Sequence, residues 1–111
     1  MKLINRLTDD AHQTMNIVGE ENEIISFNLY FMPTQKAWFC DIIWNTFEVT
    51  GLQVVFTANM LHTWSSILPF GICCWTIDGY DPAYINDFLT GRAQLYILST
   101  SDVASLEVGV F

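Results

Sequence analysis

Basic residues are scarce in this sequence. Only four lysines and arginines stand against twelve aspartates and glutamates, which gives a formal net charge of −8 at pH 7. A surface with this charge repels the phosphates of nucleic acids and anionic lipid headgroups. The composition therefore disfavours direct nucleic-acid recognition. It is compatible with a protein that borders a path along which DNA passes without adhering.

Long apolar segments are also missing. A helix that crosses a bilayer needs about 20 consecutive apolar residues. The longest candidate, residues 67–77, has about half of that length and contains Pro69 and Gly71. The first residues include Arg6 and Asp9 and form no continuous apolar core of a signal peptide. We therefore expect a soluble protein with no signal peptide and no membrane partner.

Cysteine and histidine are too few to form a recognisable catalytic or metal-binding motif. The cysteines Cys40, Cys73 and Cys74 include no Cys-x-x-Cys pair, and His12 and His62 lie fifty positions apart. Neighbouring residues of a strand face opposite sides, so the adjacent cysteines do not easily serve one site. A Cys40–His62 or Cys73–His12 dyad remains an alternative without a supporting local motif. Buried reduced thiols are the simpler interpretation.

The paired carboxylates do not match a metal-binding pattern either. The segment Asp78-Gly79-Tyr80-Asp81 resembles a calcium loop only superficially, because it lacks the alternating oxygen ligands and the terminal glutamate. Turn and capping roles explain both aspartates. The run Glu20, Glu21 and Glu23 is interpreted as a solvated acidic turn between strands. We therefore predict no catalytic residue, no cofactor and no metal site, and hence no enzyme.

The apolar residues are patterned for strands. Hydrophobic residues make up 51% of the 111-residue chain and aromatic residues 14%, enough for one domain with a core that needs no disulfide or metal. Apolar and polar residues alternate through 24–32, which predicts a half-buried strand. Residues 37–44 are apolar on both faces, which indicates a closed barrel or a subunit interface. A hairpin at Asn45-Thr46 leads into 47–56, with a bulge or bend at Gly51.

Residues 70–100 are predicted to form a strand, a tight turn, a short helix and a second strand. Asp78-Gly79 is a turn signal, and Asp81 is placed as the N-cap of a helix over 82–90 that Gly91 ends. Together these patterns predict an all-β fold. We expect a single β-rich domain over 1–111, a small barrel-like or sandwich domain of about six to seven strands. One short helix lies near 82–90, and a last strand or extended tail spans 103–111.

Tryptophan is frequent for a chain of this length. The four positions are Trp38, Trp44, Trp64 and Trp75. Aromatic faces stack on sugar rings, so a small β-barrel module that binds a peptide or carbohydrate through exposed tryptophans is one hypothesis. Packing in a core or a subunit interface is the commoner role of tryptophan.

Several landmarks occur in a characteristic order. They are a polar segment at 10–17 with Gln13, a strand with Trp38-Phe39-Cys40-Asp41-Ile42, a hairpin at Gly51, a leucine-bearing connection at 61–68, and the closing strand LTGRAQLYIL at 89–98. In this order they resemble the baseplate plug-like small tail proteins of contractile-tailed bacteriophages. The resemblance covers roughly residues 8–105 and consists of hydrophobic spacing with a few polar residues.

The resemblance implies a structural, non-enzymatic role. Copies would form a homo-oligomer, a trimer or hexamer, around the axis of the baseplate. Hub or tail-tube proteins would be the other partners. The protein would be made in the host cytoplasm and reside in the virion, where it plugs the channel or adapts one ring to the next. No catalytic or cofactor-binding residue carries over from the family pattern.

Overall fold

The computed structural model describes residues 2–4, 7–19, 22–65 and 67–107. The strands are β1 (Lys2–Leu3), β2 (His12–Val18), β3 (Ile24–Met32), β4 (Ala37–Trp44), β5 (Phe47–Gln53), β6 (Gly71–Thr76) and β7 (Ala93–Leu98). The helices are α1 (Asp87–Thr90) and α2 (Thr100–Glu107), and a 3₁₀ turn, His62–Trp64, lies between β5 and β6. All strand pairs are antiparallel and form two sheets, so the all-β prediction is confirmed.

Short hairpins build the four-stranded sheet. Its order, β2-β3-β4-β5, follows the chain. β3 has the predicted alternation, with Ile25, Phe27 and Leu29 fully buried. At the turn after β4, Asn45 adopts φ 52°, a left-handed conformation that asparagine tolerates better than most residues. Tight turns of this kind hold the register of the strands on either side.

The predicted bulge at Gly51 is present in β5. The pairing of β4 with β5 shifts by one residue between Cys40 and Ile42, which leaves Asp41 opposite the irregular part of β5. Gly51 adopts φ 68°, where a glycine has no Cβ to clash, and its N–H donates to Asp41 Oδ1 at 2.9 Å. The bulge therefore makes this edge of the sheet irregular.

The three-stranded sheet joins strands that are distant in the sequence. Its order is β1-β7-β6. β6 and β7 pair along their whole length, from Gly71 opposite Leu98 to Thr76 opposite Ala93. The segment 77–92, which contains α1, connects these two strands. This sheet therefore depends on a long connection instead of a tight hairpin.

Both sheets contribute to one hydrophobic core. Buried side chains of β3, β4, β6 and β7 belong to a single cluster. At its centre Trp38 is fully buried and packs edge-on against Phe88, with 5.2 Å between ring centroids. The Nε1–H of Trp38 donates to Tyr84 O at 3.0 Å, which ties β4 to the connection before β7. The named strands of the two sheets do not pair with each other within the described residues. The chain after β5 bonds to both sheets, since the N–H of Val54 donates to Trp38 O at 2.8 Å and Thr57 forms an isolated bridge with Cys74.

Helix α1 is shorter than predicted. Gly91 ends it in the left-handed conformation (φ 83°), as the sequence indicated, but the helix begins at Asp87 instead of residue 82. The prediction that Asp81 caps the helix is wrong. Its carboxylate accepts the N–H of Phe56 at 2.8 Å, whereas Asn86 occupies the N-cap position without a side-chain hydrogen bond.

The predicted last strand or extended tail is also wrong over 103–107, where the chain is helical. Helix α2 begins after a reciprocal cap, in which the N–H of Ser99 donates to Asp102 Oδ2 at 3.1 Å and the N–H of Asp102 donates to Ser99 Oγ at 3.2 Å. The pattern Ser99-Thr100-Ser101-Asp102 carries this signal in the sequence. Residues 108–111, the rest of the predicted tail, lie outside the described residues. Among the described residues, no helix has the length and apolarity needed to cross a membrane.

Candidate interaction surface

The cysteine thiols are held in their protonated form. Cys40 and Cys74 are buried on the inner faces of β4 and β6, and burial raises the pKa of each to about 12. Cys73 is half-buried on the outer face of β6, and burial raises its pKa as well. Because the thiolate is the nucleophilic form, these environments suit packing better than covalent catalysis.

The structure does not assemble either of the two cysteine–histidine dyads. Cys40 is fully buried, whereas His62 is exposed at the start of the 3₁₀ turn. His12 is exposed on the outer face of the four-stranded sheet, and Cys73 lies on the outer face of the other sheet. The two residues therefore lie on different sheets, and each is on the side that does not face the core.

Arg92 is the centre of a polar cluster that the sequence did not reveal. Its guanidinium donates to Asp87 Oδ2 at 2.8 Å and to both carboxylate oxygens of Asp78 at 3.1–3.3 Å. Asp87 is only 2% exposed, and its Oδ2 also accepts the N–H groups of Ala83 and Tyr84 at 2.8 and 2.9 Å. The cluster therefore braces the connection 77–92. The available signal was an arginine at the end of a connection that contains three aspartates, Asp78, Asp81 and Asp87.

The carboxylates of the calcium-like segment are occupied by protein donors. The N–H of Tyr80, 3.2 Å from Asp78 Oδ1, and then the Arg92 guanidinium hold the pKa of Asp78 below its usual value. Asp81 accepts the N–H of Phe56. Within the described ranges, no group of three or more histidine, cysteine, aspartate or glutamate side chains is placed to hold a metal ion.

Glu23 differs from the predicted solvated turn. Its side chain is only 8% exposed, and neither carboxylate oxygen has a hydrogen-bond partner. A Cβ added to Gly19 would lie 2.6 Å from Glu23 Oε1, so the backbone of the turn approaches the carboxylate closely. The other two acidic residues of the run, Glu20 and Glu21, lie outside the described residues.

Of the four tryptophans, Trp75 offers the largest accessible surface. Trp38 is fully buried, so the hypothesis of a binding platform at that residue is wrong. Trp44 and Trp64 are half-buried, and each packs edge-on against a phenylalanine, with 5.9 and 5.7 Å between ring centroids. Trp75 is 44% exposed on the outer face of β6.

The outer face of the three-stranded sheet carries several exposed apolar side chains, beside Gln94 opposite Trp75 and Arg92 opposite Ile77. Strand pairing places Leu3 of β1 beside Tyr96 of β7. The partner of Tyr96 in β6 is Cys73, and Trp75 lies two residues further along β6 on the same face. Ile77 continues the same side of the chain and is 69% exposed. We call the surface formed by Leu3, Phe56, Trp75, Ile77 and Tyr96 the aromatic face.

Phe56 extends the aromatic face past the edge of β6. An isolated bridge pairs Thr57 with Cys74, so the register puts Phe56 alongside Trp75. Phe56 is 43% exposed, and its N–H is fixed by Asp81. The aromatic face is therefore held by backbone hydrogen bonds on both sides of β6.

The outer face of the four-stranded sheet has a different character at its centre. Asn28 of β3 pairs with Asp41 of β4, next to Ser26. The hydroxyl of Tyr30 donates to Asp41 Oδ1 at 3.2 Å. Because 37–44 is apolar on both faces, the sequence indicated that this strand lies either in a closed barrel or in a subunit interface. In the structure the outer side of β4 has Asp41 between Phe39 and Ile43, whereas β6 and its continuation have Cys73, Trp75 and Ile77 there.

Two comparisons, with protein-family models and with curated proteins, find no match. The surface chemistry of the fold, above all the aromatic face, is therefore the main guide to function.

Proposed function

We propose that this chain is a non-enzymatic structural component of a phage tail baseplate, a plug or tube-end adaptor that assembles with other copies of itself and with a hub or tube protein. The aromatic face is the observation that carries the proposal. The order of sequence landmarks, which resembles the baseplate plug-like proteins, supplies the particular setting in the virion.

The aromatic face has the composition of an interface centre. Tryptophan and tyrosine are enriched among the residues that dominate binding energy, and charged residues are depleted there. Full burial of one large apolar side chain contributes about 1.5 to 3 kcal/mol relative to full exposure. Trp75 and Ile77 are 44% and 69% exposed, so an assembly contact on this face would bury a substantial apolar area that the isolated chain leaves in water.

The charge of the chain supports a place beside a DNA channel. At a formal net charge of −8, the protein repels the DNA backbone and does not retain it electrostatically. A component of a tail tube or hub must let DNA pass during ejection. The same charge makes direct nucleic-acid recognition an unsuitable function.

The proposal is tested by the composition of assembled particles. Phage particles produced with a tagged copy of the chain should contain it in a fixed number of copies, located by immunogold labelling at the baseplate end of the tail. The variant Ile77→Ser should fold but be depleted from particles. Ile24→Ser is the matched control, because Ile24 is 67% exposed on the other sheet. Native particles that lack the chain, or equal incorporation of both variants, would overturn the proposal.

The second candidate function is a small module that binds a peptide or carbohydrate. The exposure of Trp75 favours it, because an accessible indole ring can stack on a sugar. This hypothesis expects a monomer whose Trp75 fluorescence is quenched by iodide and protected by an added oligosaccharide or peptide. Trp75→Phe identifies the signal of that one residue. Absence of protection across a panel of both ligand types would contradict this alternative.

A further inference from the structure

Three ring side chains form a row across the outer face of the four-stranded sheet. Strand pairing places Tyr30 of β3 between His12 of β2 and Phe39 of β4. The rings of Tyr30 and Phe39 stack at an interplanar angle of 21°, with 6.1 Å between centroids. His12 meets Tyr30 edge-on, with 6.2 Å between centroids. Because each ring packs against the next one, the row forms a fixed aromatic platform.

A polar pair lies beside this row on the same face. Asn28 of β3 is directly opposite Asp41 of β4. The N–H of Gly51 and the hydroxyl of Tyr30 donate to Asp41 Oδ1 at 2.9 and 3.2 Å and orient the carboxylate. Neither Asp41 Oδ2 nor the side-chain amide of Asn28 has a hydrogen-bond partner in the described part of the chain. An oriented acceptor and an amide with donor and acceptor atoms are therefore left for a ligand.

The charge of this face restricts the class of ligand. The strands β2 to β5 contain the carboxylates Asp41 and Glu48 and no lysine or arginine, while Lys36 lies in the turn between β3 and β4. Such a surface repels phosphate and sulfate groups. Its polar centre also differs from the core of a protein interface, from which charged residues are depleted. A neutral ligand with many hydroxyl groups matches both the charge and the hydrogen-bonding atoms of the face.

We propose that the outer face of the four-stranded sheet binds a neutral carbohydrate chain, with a sugar ring packed on Tyr30 and Phe39 and its hydroxyl groups bonded to Asp41 and Asn28. A pyranose ring has an apolar face of C–H groups and a rim of hydroxyl groups. It therefore needs an aromatic surface with a few polar atoms at the edge. A sugar hydroxyl donates to Asp41 Oδ2, while the amide of Asn28 donates to one hydroxyl and accepts from another.

The platform adjoins a concave surface on the β2 side. An open depression of about 350 Å³ is lined by Thr8, Asp10 and residues 12–15, and so includes His12 at the end of the row. Its volume lies within the range of about 300 to 1,000 Å³ that is typical of ligand pockets. The side chains of Asp10 and Thr14 add exposed polar atoms there. The depression holds a second sugar unit of the same chain, so oligosaccharides should bind more tightly than monosaccharides.

This carbohydrate site lies on a different sheet from the aromatic face. The proposed structural role in the baseplate does not use it, so the two proposals stand or fall separately. The second candidate function places its ligand at Trp75 instead. The two binding hypotheses therefore predict opposite effects of substitutions at Asn28 and at Trp75.

The first test is native electrophoresis of the full chain through gels that each contain one soluble polysaccharide. The neutral polymers are dextran, laminarin, galactomannan and hydroxyethyl cellulose, and heparin is the anionic comparison. We expect at least one neutral polymer to retard the chain and heparin not to do so. Asn28→Ala should weaken the binding about fivefold through lost hydrogen bonds, and Phe39→Leu about tenfold through the lost ring. Gln94→Ala, the same change of an amide on the other sheet, is the matched control.

A second measurement locates the site without any substitution. A six-unit oligosaccharide of the polymer that retards the chain is titrated into isotopically labelled native protein, and the backbone amide signals are followed by NMR. The signals of Asn28, Tyr30 and Asp41 should shift, whereas those of β6 and β7 should not.

Several outcomes would overturn the proposal. They are the absence of retardation by every neutral polymer, equal retardation by heparin, equal effects of Asn28→Ala and Gln94→Ala, and NMR shifts confined to β6 and β7. Loss of binding in Trp75→Leu but not in Asn28→Ala would assign the ligand to the second candidate function. Self-association of the native chain that Asn28→Ala abolishes would show that the face pairs two copies instead. None of these results changes the expected incorporation of the chain into phage particles.

Discussion

The two sheets reach the same antiparallel pairing by different means. The four-stranded sheet pairs strands that follow one another, and tight turns such as the one at Asn45 set its register. The three-stranded sheet pairs β1 with β7 and closes β6 onto β7 across the connection 77–92. In the three-stranded sheet, side-chain hydrogen bonds hold the segments next to the strands, where the four-stranded sheet has tight turns. Arg92 braces the connection, and Asn59 accepts two backbone N–H groups beside β6.

The difference has an energetic consequence. A buried polar group that loses its partner costs more than the hydrogen bond contributed, because its desolvation is no longer offset. The three-stranded sheet should therefore be sensitive to single polar substitutions. The four-stranded sheet, which depends on apolar alternation and turns, should tolerate comparable changes at its surface.

The largest effect is expected for Arg92→Met. Asp87 is 2% exposed and would keep its two backbone donors but lose its only described cationic partner. Breaking a buried ion pair costs about 3 to 5 kcal/mol, and the partial exposure of Arg92 reduces this to about 2 to 3 kcal/mol. Urea denaturation followed by circular dichroism measures the loss.

The control for this prediction is Lys36→Met. Lys36 is exposed in the turn between β3 and β4, so the same change of charge should alter stability by less than about 0.5 kcal/mol. Adding Asp87→Asn to Arg92→Met should recover part of the loss, because it removes the unpaired charge. Equal effects at Arg92 and Lys36 would contradict the contrast between the sheets.

Two glycines, one in each sheet, have different surroundings. A Cβ on Gly71 would lie 2.6 Å from Asn59 Oδ1, the atom that accepts the N–H groups of Leu61 and Ile72. Gly71→Ala should therefore cost about 2 kcal/mol through overpacking and disturbed hydrogen bonds. Gly51 has open space but φ 68°, so Gly51→Ala should cost about 1 kcal/mol through backbone strain alone.

Asparagine substitutions distinguish steric overlap at position 71 from backbone strain at position 51. Gly51→Asn should restore most of the stability lost in Gly51→Ala, because asparagine tolerates the left-handed conformation. Gly71→Asn should be at least as damaging as Gly71→Ala, because the limitation there is space. Thermal unfolding of the four variants measures both contrasts, and rescue by asparagine at position 71 would refute the steric account.

The stability of the fold at alkaline pH depends on two buried thiols, one from each sheet. Burial raises the pKa of Cys40 and of Cys74, one from each sheet, from 9.0 to about 12. A folded-state pKa above the unfolded one stabilises the fold at low pH, and the benefit is lost as pH rises from about 9 toward 12. Each thiol then contributes a slope of up to about 1.4 kcal/mol per pH unit.

Single alanine variants separate the contributions of the thiols. Cys40→Ala and Cys74→Ala should each flatten the dependence of unfolding free energy on pH above 9, even though both lose packing at neutral pH. Cys73→Ala is the control, because the half-buried Cys73 has a smaller contribution to the slope. Denaturant titrations at pH 8, 9 and 10 provide the slopes. An unchanged slope in all three variants would show that the thiols are not the groups responsible.

The parts of the fold that local patterns determine were predictable. Alternation placed β3 at Ile24–Met32, and glycine chemistry placed the bulge at Gly51 and the end of α1 at Gly91. Tertiary contacts decided the rest. Asp81 had the local properties of an N-cap, yet its carboxylate bonds to Phe56 from a distant part of the chain. Such a partner has no local signature.

The candidate surface was harder to predict than the fold. Tryptophan count indicated an interface or a platform, but the pattern did not distinguish the fully buried Trp38 from the exposed Trp75. That distinction depends on which face of each strand meets the other sheet. A strand that is apolar on both sides, such as β6, leaves the choice of inner face to packing across the whole domain.

The smallest predicted effect concerns α2, where the sequence pattern allowed a strand but the structure has a helix. Ser99 Oγ accepts the N–H of Asp102, and serine-to-alanine changes at such caps cost about 1 kcal/mol, whereas glycine costs a few tenths. Ser99→Ala should therefore lower the unfolding free energy by about 1 kcal/mol and Ser99→Gly by much less. Ser101→Ala, at an exposed position between Ser99 and Asp102 that takes no part in the two cap hydrogen bonds, should be nearly neutral. If alanine and glycine at position 99 destabilise equally, the reciprocal cap does not determine where this helix begins, and packing of Val103 against the domain must do so instead.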